Sequence, residues 1–166
     1  LLLDAMSGEH AADPLSLPTL PTSFLSAARS NRKPKRIAYS PDFGITPVDP
    51  EVKAVTRKAA ERFTDAGVIV EEASPDFSEA HECFHVLRAF DFAISKAELL
   101  RTKRDQLKPE VIWNIEEGLK LTVDQLARAE AQRVGMTARA IEFFETYDLL
   151  LTPTTIVPPF PIEHRY

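Results

Sequence analysis

"RIAYSPDFGITPVDPEVKAVTRKAAERFTDAGVIVEE", Arg36 to Glu72, decides the fold of this chain. Arg36 to Ser40 reads as a strand, and "PDFGITPVDP" follows as a loop. Asp49 is a good N-cap, because its carboxylate can accept from first-turn amides. Pro50 suits the first helical position, and Glu51 complements the helix dipole. Val52, Val55, Ala59 and Phe63 recur at helical spacing, which predicts one buried face. Gly67 ends the helix, and Val68 to Glu72 reads as a second strand. Strand, helix and strand in this order form a βαβ unit. The class is therefore α/β, with two parallel strands and a right-handed crossover expected.

On the N-terminal side, residues 9 to 35 hold Pro14, Pro18, Pro21 and Pro34 among scattered Ser and Thr. This is a connector, with a short helix expected at Ser23 to Arg29. The opening "LLLDAM" reads as the end of a helix, with Gly8 as its stop. On the C-terminal side the period becomes helical from Phe77. Phe77, Ala80, Phe84, Leu87, Asp91, Ile94 and Ala97 fall on one stripe. Pro109 starts another helix that ends near Gly118. Thr122 caps a long third one. Asp148 to Thr152 is a short apolar strand. Its Leu149 and Leu151 point one way and Leu150 the other, so both faces need cover, as in a strand inside a helix-flanked sheet. "TPTTIVPPFP" has too many prolines for regular structure. The expected divisions are a helix end and linker (1–35), the βαβ unit (36–76), a helical region (77–147), and a strand with a Pro-rich loop (148–166). Both ends of the chain read as cuts through a larger protein.

The 166 residues are 44% hydrophobic and 27% charged, which is ordinary for a globular domain. The formal charge of -5 argues against sequence-independent nucleic-acid binding. "RSNRKPKR", Arg29 to Arg36, is read as a solvated loop. No apolar run is long enough to span a bilayer. Cys83 is the single cysteine, so no internal disulfide forms. That permits a reducing compartment without requiring one, and a cytoplasmic location is the expectation.

"HECFH", His81 to His85, fits H-E-x-x-H, a zinc signature of metalloproteases. Zinc needs a third protein ligand. In the extended pattern a Gly breaks the helix and a His follows. Here Arg88 and Asp91 stand at those positions. On an unbroken helix Asp91 lies about 240° around the axis from His85, out of reach of a shared metal. A third ligand from a downstream helix could be Glu98, Glu110, Glu116 or Glu117, but none sits in a recognisable motif, so a zinc peptidase is the weakest of the functional readings and no metal site is expected. There is no G-x-S-x-G elbow, no G-x-G-x-x-G and no Walker loop.

Three segments together resemble the amidase signature family, serine hydrolases of carboxamides. They are "LLLDAMSGEHAADPLSLP", the Arg36 to Glu72 unit with its Val-Asp-Pro-Glu-Val helix start, and "YDLLLTPTTIVPPFP". The resemblance implies an α/β/α fold with a mixed sheet. It also implies amide hydrolysis through an acyl-enzyme, with a Ser, a second Ser in a cis peptide and a Lys base, and no cofactor. Nothing here matches the family's Gly-Gly-Ser-Ser loop. The resemblance thus implies that the triad lies outside this chain, which would supply sheet and pocket wall. Pro153, Thr154 and Thr155, just past the last strand, are the candidate substrate contacts. Trp113 and His85, with His81 and Arg88, are weaker ones. The implied partners are a small-molecule amide, the rest of an amidase chain, and a second copy in a homo-oligomer. The alternative is a non-catalytic subunit of an amidase-like assembly.

Overall fold

The computed structural model describes residues 1–30 and 32–164. The chain divides into two compact units, Leu1–Pro34 and Lys35–Tyr166. In the first, helix α1 spans Leu2–Met6 and helix α2 spans Phe24–Arg29. The Asp4 carboxylate joins them, accepting the amides of Phe24 at 2.6 Å and Leu25 at 3.1 Å. Ser23 caps α2 by accepting from Ser26 N–H. Both helices fall where the sequence predicts helical segments.

The second unit holds a three-stranded sheet. Strand β1 is Arg36–Tyr39, β2 is Ile69–Glu72 and β3 is Leu149–Leu151. Their order is β2-β1-β3, and β1 runs parallel to both neighbours. Helix α3 (Pro50–Glu61) connects β1 to β2 and continues into a 3-10 turn, Arg62–Ala66. Asp49 caps α3 by accepting from Glu51 N–H. Gly67 closes the connection at φ 78°, a left-handed conformation that glycine takes without a Cβ penalty. The helical region is α4 (Ala80–Lys103), α5 (Pro109–Leu119) and α6 (Val123–Phe143), the last opened by a Thr122–Gln125 capping box. Among the described residues no helix is long and apolar enough to cross a membrane.

The core centres on β1. Ile37 and Ala38 are fully buried and Tyr39 nearly so. Side chains alternate along a strand, so both faces of β1 are covered. On one face the Tyr39 hydroxyl meets Thr56 Oγ1 of α3 at 2.9 Å, and Arg57 of α3 pairs with Glu72. On the other, Arg36 pairs with Glu71 and lies over the Tyr147 ring. Strand β3 stands at a sheet edge. Its register, Ile37 against Leu149 and Ala38 against Leu150, separates the leucines between the two faces as the alternation requires.

Two predicted helix faces are rotated from the observed ones. On α3, Val55 is 62% exposed, and Ala60 is the buried residue. On α4, Phe84 is 57% and Ile94 69% exposed, whereas Cys83 and Ala89 are buried. The reason is close helix approach. Cys83 Sγ donates to the Ala129 carbonyl of α6 at 3.3 Å, and Gly118 of α5 lies against the backbone of Ala89. Backbones this near admit only small side chains, so the larger apolar residues are turned outward.

Asp148 fastens β3 to β1. Its carboxylate accepts Lys35 N–H at 2.6 Å and Arg36 N–H at 3.0 Å, and its own amide donates to Arg36 O at 2.9 Å. The amide of Arg36, then that of Lys35, holds the Asp148 carboxyl below the usual aspartate value. A carboxyl with a lowered folded-state pKa stabilises the fold above its unfolded pKa, and loses that contribution as pH falls through the folded value. Asp148→Asn keeps an oxygen acceptor and removes the charge. The wild type is therefore expected to melt higher than the variant near neutral pH, with the gap closing below about pH 4. Thermal melts across pH test this, and a gap that does not change with pH contradicts it.

Candidate functional site

Because the three strands are parallel, their C-terminal ends share one edge of the sheet. Residues 40–48, 73–79 and 152–160 leave from that edge. In open α/β sheets ligands favour such edges. The site is built there from sequence-local turn chemistry. Ser40, nearly buried at the end of β1, accepts from Phe43 N–H at 3.0 Å. Asp42 accepts from Gly44 N–H at 2.9 Å with one oxygen and from Lys53 Nζ at 2.7 Å with the other. The Lys53 ammonium, then the Gly44 amide, lowers the Asp42 pKa. Phe43 takes a left-handed φ of 53°, which is uncommon for a bulky residue. Its ring packs edge-on to Phe77 at 5.4 Å.

Two further ties hold this turn. Asp49 N–H donates to Ile156 O at 2.8 Å, joining it to the Pro-rich segment after β3. His81 Nε2 lies 3.1 Å from Ile45 O and 3.2 Å from Thr46 Oγ1. A carbonyl only accepts, so Nε2 carries the proton in this contact.

While His81 Nε2 donates to Ile45, that nitrogen has no lone pair for a metal. Glu82 is held by Gln132 and Arg128 of α6, in that order of effect, and both lower its pKa. Burial raises the Cys83 pKa, which favours the inert thiol. His85 is exposed, edge-on to Phe84. Among the described residues no three His, Cys, Asp or Glu side chains form a group fit for a metal.

Of the remaining candidates, Pro153 is half-buried and Thr154 exposed, while Thr155 Oγ1 donates to Val157 O at 3.2 Å. These three stand at the sheet edge with the 40–48 turn. Trp113 is 57% exposed on α5, beside buried Asn114. Arg88 Nη2 donates to Asn114 Oδ1 at 2.8 Å. Among the described residues, no hydrogen bond, ion pair or ring contact joins Trp113 or His85 to residues 153–155. Of the helical candidates, His81 is the one bonded to the sheet-edge turn. Sequence reasoning missed Ser40, Asp42 and Phe43. The available signal was "SPDFG", an Asp two residues before a Gly directly after a strand.

Among the described residues, no serine hydroxyl or cysteine thiol is hydrogen-bonded to a His or Lys side chain, and no peptide is cis. An open groove of about 360 Å³ lies elsewhere, on the Arg133, Val134, Thr137, Ala138 and Ile141 face of α6.

A family model described as Amidase matches residues 1–166. An acylamidase of Rhodococcus erythropolis is 33% identical over 165 residues, 98% of this chain and 35% of the relative. An amidase of Pseudomonas putida is 24% identical over 159 residues, 95% of this chain and 34% of the relative. The chain thus spans about a third of the length of the curated relatives it matches. The crystal structure of a bacterial aryl acylamidase of the amidase signature enzymes superposes with a TM-score of 0.77 at 25% identity. The match covers 92% of this chain and 33% of that one. A second crystal structure, of an amidase, gives 0.69 at 21% identity over 78% of this chain and 30% of that one, a likeness of fold.

Proposed function

Because this chain belongs to the Amidase family, that of the amidase signature enzymes, we propose that it forms part of an enzyme hydrolysing the C–N bond of acyl amides. The observation that carries this reading is the match of all 166 residues to the family, with the parallel sheet and its loop-bearing edge in the matching fold. The role we assign to the chain is structural support and pocket wall. The 40–48 turn and residues 153–155 stand where a ligand of an open α/β sheet would lie. Nucleophile and base would come from outside residues 1–166, whose sequence holds no match to the family's Gly-Gly-Ser-Ser loop. The reaction would proceed through an acyl-enzyme on that external serine, with Lys as base.

The test uses the gene product that contains this chain. It should release 4-nitroaniline from 4-nitroacetanilide, and a fluorophosphonate should label a serine outside residues 1–166. Residues 1–166 alone should neither turn over the anilide nor take the label. A label on a serine within this chain would refute the division of roles. A folded gene product that is inert on aryl and alkyl amides, and takes no label, would make the non-catalytic subunit the correct reading.

A further inference from the structure

Arginines 36, 57, 101, 104, 128, 133 and 139 each pair with a carboxylate. Among the described residues Arg29, Arg32 and Arg62 have no such partner and are exposed. Of the described arginines, Arg88 alone is both partly buried and without a carboxylate. Leaving a guanidinium partly desolvated without a counter-charge is unfavourable, and the surroundings fix it in place.

Asn114, 5% exposed, accepts from Nη2 through Oδ1, and its own Nδ2 donates to Glu110 O at 2.7 Å. That second bond orients the amide, so Oδ1 is presented to Arg88. Phe84 and Phe92, each four residues from Arg88 along α4, place their ring centroids 5.7 and 5.9 Å from the guanidinium carbon. The only sealed side-chain polar atom without a partner among the described residues is Gln132 Oε1. Arg88 Nε and Nη1 are unbonded, so they reach solvent. Nη2 carries a second N–H, which lies beside that of Nε or of Nη1, so one edge of the planar guanidinium keeps two parallel donors, flanked by apolar rings.

We propose that Arg88 is a binding site for a carboxylate borne on an aromatic or apolar body. A guanidinium fork matches two carboxylate oxygens at once. The exposed Phe84 ring gives the ligand's body an apolar surface to lie on. Carboxylic acids of this kind are the chemical class released when an acyl amide is hydrolysed. The site itself is argued from geometry alone and stands apart from that reading.

The test is calorimetric titration of the folded gene product with benzoate, and with nitrobenzene as its neutral, planar isostere. Neither titration requires turnover, so the result is independent of amidase activity. Benzoate is expected to bind saturably with a Kd of about 1 mM, and nitrobenzene much more weakly. Arg88→Gln should weaken benzoate about tenfold or more. Arg88→Lys, which keeps the charge and loses the fork, should fall between. Arg101→Gln, an exposed control on the same helix, should change nothing. Absence of benzoate binding, equal binding of nitrobenzene, or benzoate binding unchanged in Arg88→Gln overturns the proposal.

Discussion

Ile37→Ala is expected to lower the free energy of unfolding by about 3–4 kcal/mol, within the usual range for deleting a large buried aliphatic group. Ile37 is 0% exposed and occupies the central strand. Its backbone pairs with Val70 on one side and Leu149 on the other. A strand hydrogen-bonded on both sides cannot easily move inward to fill the space left by the missing carbons. The cost should therefore contain a cavity contribution as well as lost burial. Ile37→Val removes one methylene and should cost about 1 kcal/mol. Urea unfolding of both variants checks the pair. A loss below about 1 kcal/mol for the alanine variant would mean that β1 is not the centre of the core.

Gly118→Ala should destabilise by about 2 kcal/mol, against its helix propensity. In a free helix interior this substitution gains about 1 kcal/mol. Here an added Cβ would overlap the carbonyl oxygen of Ala89 and lie 2.9 Å from Ala93 Cβ. The obstruction is backbone, which cannot rotate away, so α4 and α5 must separate. Overpacking of that kind costs about 1–3 kcal/mol, with the upper end expected where two backbones touch. The steric term wins over propensity. Ala89→Gly is not expected to rescue the variant, because the obstructing atom is the carbonyl oxygen, which glycine keeps. Thermal unfolding decides the sign, and a variant more stable than wild type would show that α4 and α5 pack more loosely than described.

The candidate site was legible in the sequence only in part. Residues 153–155 could be placed past a strand end because strand polarity follows from the chain direction, and β3 lies where "DLLLT" predicts it. The 40–48 turn could be read as a loop, but not as a site. Its importance comes from ties of Asp42 to Lys53 and of Ile45 to His81, 11 and 36 positions away, and of the adjoining Asp49 to Ile156. No local pattern announces them. His81 and Glu82 show the same limit from the other side. Their motif matches a zinc signature, yet their hydrogen-bond partners lie on the turn after β1 and on α6.

What the sequence by itself determined was set by short-range physics. Asp49 before Pro50, Thr122 three residues before Gln125, and Gly67 at a left-handed φ set where helices begin and end, because caps act within one turn. The βαβ order set parallel pairing, because one crossover returns the chain in the same direction. Which helix faces are buried was decided only by the tertiary structure. Apolar spacing put Phe84 and Ile94 inward, but the approach of α4 to α5 and α6 selected Cys83, Ala89, Gly118 and Ala129. Hydrophobic periodicity reports how much apolar surface a helix carries. How near its neighbours come decides which side chains fit between them.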